Sequence, residues 1–402
     1  MIEGIERVGV VGLGVMGFDI SFLYAMRGYE TLVYDASPAA MEALIGRSEQ
    51  TIERLKKRNR ISGPEIENIR HRLIPARTLQ ALAKMDLVTE AVSETAKTKL
   101  AVYQALREAG FSGILTTNTS SLTRAALLAS GVCDSGKFAS THFFNPVLYT
   151  KMVEFVSGDM DRGRLNTIVS FLKSLGREPI ETQDISGFVS NSILMYYAVM
   201  ALRLLEYGAR IDEIDQAAKE LRLLPPFISF DSWKPSIVED VTRVMFELRG
   251  DSFLRSSKLL SVLACNNPKF YLEQRPNPEI YQQVRKQPPK LSEPIIQRAL
   301  TTTIHVAAAR VVELGESPAA VDFIATEGIK IPRAPLTEID SIGPGAVLEE
   351  IEKVSQEVSV NSLSAPQLLA AMANEEQTFY KNGQPNPWLR SVIGPPTTHA
   401  RH

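Results

Sequence analysis

Residues 8–17, VGVVGLGVMG, constrain the fold more than any other stretch of the chain. A β-rich apolar run leads into glycines spaced G-x-G-x-x-G, and helical spacing then continues as far as Gly28. The segment ETLVYD, residues 30–35, has the composition of a second buried strand. A strand, a glycine-rich turn, a helix and another strand within about 30 residues form the context that a dinucleotide-binding fingerprint requires.

The glycines of this turn have separate expected roles. Gly12 permits the tight turn, Gly14 lets the backbone approach a pyrophosphate, and Gly17 lets the helix pack close to the strand. The helix N-terminus adds unpaired N–H groups and a positive dipole end for the phosphates. The turn residues predicted to contact the cofactor are Gly12, Leu13, Gly14, Val15, Met16 and Gly17.

Asp35, at the end of the second strand, favours NAD over NADP. Its carboxylate is placed to accept hydrogen bonds from the adenosine ribose, and its charge would repel a 2′-phosphate. The alternative is that Asp35 forms only a turn or an N-cap before the helix that starts at SPAAME.

Further apolar strands are predicted at residues 86–92, 114–118 and 137–144, with helical patterns between them. Strands that alternate with helices indicate a doubly wound, mostly parallel sheet. The inserted segment 38–72 has the pattern of two charged helices joined at Ser62-Gly63-Pro64, an accessory hairpin outside the sheet. Its basic run, Arg54 to Arg60, is either a solvated helix face or an anion site.

Beyond residue 184 the pattern becomes helical and repeats itself. A long helix that ends near a glycine, followed by a shorter helix with an aspartate, occurs in LLEYGARIDEID and again in VVELGESPAAVD, about 110 residues later. The Pro-rich passage 274–294 between them resembles a linker. The predicted fold is an α/β Rossmann-like N-terminal domain (1–184) with a helical-hairpin insertion. Two mainly α-helical domains related by duplication follow it (185–285 and 286–402).

Composition narrows the class of partner and the compartment. The 402 residues include 44 Lys and Arg against 46 Asp and Glu, and this balance argues against nucleic acid or an anionic membrane as the main partner. No run is expected to reach the ~18–20 apolar residues of a membrane helix, and the acidic N-terminus does not resemble a signal peptide. Cys133 and Cys265 lie far apart and form no metal motif, so we expect a reduced, cytoplasmic protein with no bound metal.

A histidine near the end of a buried strand, in FASTHFFNPV (138–147), suggests acid–base chemistry. Hydride transfer from an alcohol to a nicotinamide also requires removal of the hydroxyl proton, and an imidazole can accept it at neutral pH. Glu154 lies in the apolar run KMVEF, where a carboxylate is costly unless it is paired. A returning strand would bring it beside His142 to hold the ring. The alternatives are a satisfied core histidine and an exposed Glu154.

The segments GLGVMG, DLVTEAV, TNTSSL, HFFNPV, MVEF and SGFVSN, in this order and spacing, resemble the L-3-hydroxyacyl-CoA dehydrogenase family. With the repeated helical domain, the whole chain resembles the dehydrogenase half of multifunctional fatty-acid oxidation proteins, without their hydratase half. The resemblance implies oxidation of (S)-3-hydroxyacyl-CoA to 3-oxoacyl-CoA with NAD as cofactor, in a monomer or a homodimer. Two alternatives stay open: a related dehydrogenase for an unusual acyl group or a non-CoA hydroxy acid, and a catalytically idle NAD-binding structural protein.

The same resemblance implies roles for four catalytic residues. His142 matches the catalytic base and Glu154 matches its partner. Ser120 matches the residue whose hydroxyl contacts the substrate oxygen, and Asn191 matches the asparagine that helps to position substrate and base. From the residues alone, Ser120 could instead cap the helix at LTRAALL, and Asn191 could be a polar residue inside a helix that faces another helix.

The resemblance also implies binding residues outside the glycine turn. Glu94, Lys99 and Asn145 match residues that line the NAD pocket, and Thr51 and Arg58 match residues that contact coenzyme A. The chain departs from the family pattern where Leu148-Tyr149 replaces a usual proline and Ser192 replaces a common arginine. Residues 221–233, LRLLPPFISFDSW, replace a Gly-Pro-Phe turn that lies near the acyl group in the family, so the acyl portion of the substrate stays open.

Overall fold

The computed structural model describes residues 4–284 and 291–393. Contacts between residues divide the chain into a first unit that ends at Asp184 and a second that begins at Ile185. The three predicted domains, with limits 1–184, 185–285 and 286–402, stay a prediction, and the boundary near residue 285 lies outside the described residues.

The first unit alternates strands and helices. Its strands are β1 Arg7–Val11, β2 Glu30–Tyr34, β3 Leu73–Pro75, β4 Leu87–Glu90, β5 Ile114–Asn118, β6 Phe138–Phe143, β7 Met152–Val156 and β8 Glu178–Glu181. Its helices are α1 Val15–Met26, α2 Pro38–Glu42, α3 Leu44–Lys56, α4 Gly63–Arg72, α5 Ala96–Glu108, α6 Arg124–Leu128 and α7 Arg162–Ser174.

The eight strands form one sheet in the order β3-β2-β1-β4-β5-β6-β7-β8. The first six, from β3 to β6, are parallel, β7 returns antiparallel beside β6, and β8 pairs with β7 in parallel. This confirms the predicted doubly wound, mostly parallel sheet, whose carboxyl ends form the usual ligand-binding edge. The sequence did not reveal β3, because an edge strand of three residues is too short to show periodicity.

Two apolar clusters cover the two faces of this sheet. Val10 packs with α1 residues such as Phe22, whereas its neighbour Val11 packs with Val88 and Tyr103. Successive residues of a strand point to opposite faces, so adjacent valines contribute to different clusters. The near-continuous apolar strands of the sequence follow from burial on both sides.

The insertion between β2 and β3 contains three helices, one more than predicted. Ser37 caps the short α2, and α3 follows it almost at once. Ser62 forms a capping box with Glu65: its hydroxyl accepts from Glu65 N, and its own N–H donates to the Glu65 carboxylate at 2.9 Å. The box starts α4 at Gly63, so the predicted junction at residues 62–64 is correct.

The second unit is mainly helical. Its helices are α8 Phe188–Tyr207, α9 Ile211–Glu220, α10 Pro226–Trp233, α11 Pro235–Arg249, α12 Lys258–Asn266, α13 Pro278–Tyr281, α14 Glu293–Glu313, α15 Pro318–Phe323, α16 Pro335–Ile342, α17 Pro344–Glu357, α18 Gln367–Asn374 and α19 Leu389–Ile393. Two small hairpins pair β9 Tyr271–Leu272 with β10 Arg275–Pro276 and β11 Tyr380–Lys381 with β12 Gln384–Pro385.

These elements form two copies of one arrangement, as the repeat in the sequence predicts. Each copy has a long helix, four shorter helices, a hairpin and a last short helix, and the long helices α8 and α14 pack against each other. Asp215 accepts a hydrogen bond from the hydroxyl of Tyr271 (2.9 Å), and Asp322 accepts the equivalent bond from Tyr380 (3.0 Å). The same polar contacts therefore hold the same elements together in both copies.

Two sequence-based expectations about this unit are wrong. Residues 274–281 are not a linker, because they form β10 and α13 of the first copy; residues 285–290 of that passage lie outside the described residues. Secondly, one described helix, α8 with 20 residues, is long and apolar enough to cross a membrane. Since 83% of its most apolar window is buried inside the protein, it also has the properties of a core helix, and the predicted lack of a membrane partner stays a prediction.

Candidate active site

The glycine-rich turn between β1 and α1 has the shape that a dinucleotide requires. Gly12 has a φ of +95°, and a Cβ there would lie 2.6 Å from the carbonyl oxygen of Ala91. A Cβ on Gly17 would lie 1.9 Å from the carbonyl oxygen of Gly12. Beside Gly14, in contrast, no atom would lie within 4 Å of a Cβ, so the backbone is open to a pyrophosphate at the N-terminus of α1. The residues of this turn fit the cofactor that they are predicted to hold.

Asp35 directly follows β2 and is tied to this turn. Its Oδ2 accepts a hydrogen bond from Leu13 N (2.6 Å), and its Oδ1 accepts one from Ser37 N (2.8 Å). Asp35 thus forms the turn contacts of the alternative interpretation. It does not cap α2, because the N-cap of that helix is Ser37. Because a carboxylate can accept about four hydrogen bonds, both oxygens keep acceptor capacity for a ribose.

Arg47, which the sequence analysis did not identify, clamps the same turn from α3. Its guanidinium donates to Leu13 O (2.6 Å) and Gly14 O (3.3 Å) and lies 4.1 Å from the centre of the Phe18 ring. Nothing in the local sequence distinguishes this arginine from its basic neighbours, since the contact joins residues more than 30 positions apart.

His142 and Glu154 meet as the returning-strand argument predicts. They are directly opposite each other in the antiparallel pair β6–β7, and Nδ1 of His142 lies 3.3 Å from Oε1 of Glu154. Glu154 is fully buried and His142 is 6% exposed. The alternative of an exposed Glu154 is therefore wrong. If Nδ1 carries the hydrogen and donates to the carboxylate, Nε2 is the nitrogen left to accept a proton.

Glu94 organises the loop that carries Ser120. Its Oε1 accepts hydrogen bonds from Ser120 N (2.8 Å) and Ser121 N (3.0 Å) and from the hydroxyl of Thr119. Burial would raise the pKa of Glu94, but the charge of Lys99 and these hydrogen bonds together lower it. The helix after this loop is capped by Thr123, so the reading of Ser120 as an N-cap is wrong.

Lys99 and Glu90 form a buried ion pair beneath this loop. Nζ of Lys99 lies 3.0 Å from Oε1 of Glu90 and 2.9 Å from the carbonyl oxygen of Asn118, and both charged side chains have no solvent exposure. Glu90 also accepts from Tyr103 (2.7 Å) and Thr117 (2.7 Å). The contacts of Lys99 are therefore structural ones, and its role in lining the NAD pocket stays a prediction. Glu90 was missed, although a glutamate within the apolar strand DLVTEAV is the same signal that identified Glu154.

The remaining predicted binding residues of the first unit differ in how far they are exposed. Asn145 is exposed just beyond β6. Thr51 is only 6% exposed, so it offers little surface to coenzyme A. Arg58 is exposed just past the end of α3, and its guanidinium donates to the hydroxyl of Tyr149 (3.2 Å). The three assignments stay predictions, and Arg58 has the more accessible position of the two proposed for coenzyme A.

Asn191 belongs to the second unit. It is partly exposed in the first turn of α8, close behind Gly187 with its φ of +84°, so both its predicted role and the alternative of a polar residue inside a helix stay open. The next residue, Ser192, stands where the family commonly has arginine. The partly buried guanidinium of Arg249, from the end of α11, donates to Ser192 Oγ (2.6 Å) and to Ser186 O. A guanidinium thus contacts this position from another helix.

Family models match most of the described chain. The NAD-binding domain of 3-hydroxyacyl-CoA dehydrogenase matches residues 7–185, and the C-terminal domain of the same family matches residues 187–269. The 3-hydroxyadipyl-CoA dehydrogenase of Escherichia coli is 32% identical over 54% of this chain and 46% of its own length. The mitochondrial hydroxyacyl-coenzyme A dehydrogenase of Sus scrofa is 32% identical over 54% of this chain and 71% of its own length. The chain thus spans about half of the bacterial relative and about seven tenths of the mammalian one.

Solved structures have the same fold. A 3-hydroxybutyryl-CoA dehydrogenase from Escherichia coli aligns with a TM-score of 0.76 at 21% identity, over 92% of this chain and 99% of that chain. The (S)-3-hydroxybutyryl-CoA dehydrogenase of Ralstonia eutropha aligns with a TM-score of 0.59 at 26% identity, over 65% of this chain and 94% of that chain. The glycine-rich turn with Asp35, the matched domains and these relatives agree. The chain belongs to the 3-hydroxyacyl-CoA dehydrogenase family, whose members are NAD-dependent oxidoreductases, and its first unit is the NAD-binding domain of that family.

Proposed function

We propose that this protein oxidises (S)-3-hydroxyacyl-CoA to 3-oxoacyl-CoA with NAD as hydride acceptor. The observation that carries the proposal is the pairing of His142 with Glu154 at the end of β6, in a domain whose glycine-rich turn fits NAD. A carboxylate behind an imidazole is the arrangement of a general base, because it orients the ring and stabilises the imidazolium that forms.

His142 is the proposed base. Nδ1 donates to Glu154, which fixes the ring, and Nε2 accepts the proton of the 3-hydroxyl group as that carbon becomes a carbonyl. Phe144 packs edge-on against the imidazole with ring centres 5.3 Å apart, which further restricts its rotation. NAD, bound at the turn of residues 12–17, supplies the site that takes the hydride.

Ser120 and Asn191 are the proposed contacts to the reacting part of the substrate. Glu94 holds the backbone of Ser120 by a hydrogen bond, so the side chain that carries the hydroxyl extends from a fixed position. Glu94 and Lys99 act on this loop from beneath, and we propose that they support the cofactor side of the site in this way. Arg58 is the proposed contact to the nucleotide end of coenzyme A.

A screen of NADH absorbance against a panel of hydroxy compounds tests this proposal. The panel contains 3-hydroxybutyryl-CoA and 3-hydroxyadipyl-CoA, after the names of the relatives, together with longer and branched esters and the free hydroxy acids. Turnover of a CoA ester that falls sharply in His142→Gln supports the proposal. Turnover of the free acids alone would favour a non-CoA substrate, and NAD binding with no turnover of any compound would favour an idle, NAD-binding structural protein.

A further inference from the structure

Each helical copy has a cavity beside its long helix. The cavity of the first copy, which we call the apolar slot, has a volume of about 10 Å³ and is lined on α8 by Leu194 and Tyr197, among others. The cavity of the second copy, which we call the polar cavity, has a volume of about 430 Å³ and is lined on α14 by Thr301 and His305, among others. The two differ in both size and chemistry.

The internal repeat relates these cavities, because each copy helps to close the cavity of the other. The segment after α9, with Arg222 and Leu223, lines the polar cavity. The equivalent segment that follows α15 and its π-helical extension, with Lys330 and Ile331, lines the apolar slot. Arg222 and Lys330 are equivalent positions, each with a left-handed backbone (φ 58° and 60°). The polar cavity is therefore the counterpart, in the second copy, of the apolar slot. Along α8, the apolar slot begins about one turn beyond Asn191.

Four residues of the polar cavity replace apolar or small residues of the first copy. The chain can be aligned on the equivalent hydrogen bonds of Asp215 and Asp322 and on the left-handed glycines that end α8 and follow α14. The resulting pairs are Leu194 and Thr301, Ala198 and His305, Leu224 and Arg333, and Ser229 and Glu338. These four changes make the lining of the second cavity more polar than that of the first.

The carboxylates that line the polar cavity already have partners. Glu338 contacts Nε2 of His305 (3.2 Å) and Nη1 of Arg333 (3.0 Å). The pKa of Glu338 is lowered, chiefly by the hydrogen bond from His305, so it is a carboxylate at neutral pH. Glu220 accepts from Gln216 (3.1 Å) and Gln297 (3.0 Å).

Arg222 differs from these residues, because its guanidinium makes no hydrogen bond or ion pair with any residue in the described ranges 4–284 and 291–393. Arg222 is therefore the charged group of this lining whose donors remain open to a ligand, whereas Glu220 keeps its negative charge because its partners are neutral amides.

We propose that the polar cavity binds a carboxylate carried on a short apolar chain. Arg222 binds the carboxylate through its planar fork of donors, and Leu223, Ile304 and Ile331 contact the chain. A volume of about 430 Å³ suits a small organic acid.

The carboxylate belongs either to a free organic acid, the first source, or to the far end of a substrate acyl group, the second source. The two cavities are adjacent, since Leu223, Ile304 and Ile331 line both, and the kinetic experiment below decides whether an acyl end enters the polar cavity. This second source rests on the proposed function, whereas binding of a free acid does not.

Calorimetry with the full chain tests the first source. Adipate and hexanoate are titrated, with hexanamide as the uncharged analogue. We expect the acids to bind and the amide not to bind. Arg222→Gln should weaken acid binding about 10-fold or more, the loss of one charge-assisted hydrogen bond. Lys219→Gln removes the same charge from an exposed residue of α9 outside the cavity and should change nothing.

Steady-state kinetics test the second source. The ratio of kcat/KM for 3-hydroxyadipyl-CoA to that for 3-hydroxybutyryl-CoA is compared between wild type, Arg222→Gln and Lys219→Gln. If the acyl end occupies the polar cavity, Arg222→Gln lowers this ratio about 10-fold and leaves turnover of the butyryl ester unchanged.

No acid binding by the wild type together with an unchanged ratio would overturn the proposal. Acid binding that Arg222→Gln and Lys219→Gln weaken equally would also overturn it. An enzyme that turns over no CoA ester of the panel contradicts the proposed function, but the calorimetric result still decides whether the polar cavity binds carboxylates. Melting temperatures of the variants, expected to match the wild type because both residues are exposed, exclude misfolding as the cause.

Discussion

Nδ1 of His142 lies 3.3 Å from Oε1 of Glu154, across two residues that are directly opposed on neighbouring antiparallel strands. The sheet itself therefore sets the distance between the proposed base and its partner. Because both side chains leave the same face of a buried pair of strands, no mobile loop has to order before the imidazole is oriented.

We expect His142→Gln to lower kcat by about 10²–10⁴, the usual contribution of a general base. Glutamine keeps a polar group there but cannot take up a proton at neutral pH. Glu154→Gln should lower kcat as well, because the neutral amide no longer stabilises an imidazolium. The double variant should be little slower than His142→Gln, since the two residues act as one unit. NAD affinity, measured by fluorescence titration, should be unchanged. If the fold-losses of kcat in the two single variants simply multiply in the double variant, the pairing is contradicted.

Cofactor choice depends on Asp35. The carboxylate lies beside Leu13 and would face a 2′-phosphate as a like charge, a contact that costs several kcal/mol. We therefore expect kcat/KM with NAD to exceed that with NADP about 100-fold or more. Asp35→Ala should reduce this ratio, mainly by weakening the binding of NAD. Equal efficiency of the wild type with both cofactors would show that Asp35 has only its turn role.

Arg58→Ala should raise KM for acyl-CoA and leave the affinity for NAD nearly unchanged, if Arg58 contacts the nucleotide end of coenzyme A. Substrate binding should also become less sensitive to salt, because an exposed phosphate contact is screened. Lys56→Ala is the matched control, since it removes an exposed charge that is paired with Glu53 at 2.8 Å. If Arg58→Ala and Lys56→Ala have the same KM for acyl-CoA, the basic run is a solvated helix face and not an anion site.

The buried pair of Lys99 and Glu90 should be costly to break by removing one partner. Lys99→Met leaves the Glu90 carboxylate buried without its cation, and we expect the free energy of unfolding to fall by about 3–5 kcal/mol. Lys97→Met, at an exposed position of the same helix, should change it by less than about 0.5 kcal/mol. In urea unfolding, the double variant Glu90→Gln/Lys99→Met should recover part of the loss, because no uncompensated charge remains.

Acid should weaken the loop that carries Ser120. The folded-state pKa of Glu94 lies below its ordinary value, so the folded protein binds fewer protons there than the unfolded chain. This stabilisation is present above the unfolded pKa and is lost as the pH falls through the folded one. Glu94→Gln should be less stable than the wild type at neutral pH, and its urea midpoint should fall less towards pH 3. A parallel loss in both proteins would assign the acid sensitivity to other carboxylates.

Local patterns in the sequence predict much of the first unit and of its site. The glycine turn, Asp35 and the pairing of His142 with Glu154 follow from strand periodicity, from spacing and from the cost of a buried carboxylate. The clamp from Arg47 could not be predicted, because it depends on how α3 lies against the glycine turn. Thr123 rather than Ser120 caps α6 because Glu94 holds the preceding loop, and that contact joins residues 26 positions apart.

In the second unit, the sequence shows the repeat but does not show how the two copies contact each other. A weak recurrence of helix, glycine and aspartate predicts two similar copies. It does not show that the segment after α9 of one copy lines the cavity of the other, since this depends on how α8 and α14 pack. Arg222, His305 and Arg333 carry no local signal that distinguishes them from surface charges.

The exchange of closing segments between the two copies has an evolutionary consequence. In a symmetric homodimer each substitution appears twice, so a residue that improves one cavity also alters its twin. Two copies within one polypeptide are free of that constraint, because Ala198 and its counterpart His305 are encoded separately. The slot beyond Asn191 can then stay small and apolar while its twin acquires charge, and two equivalent cavities become different ones.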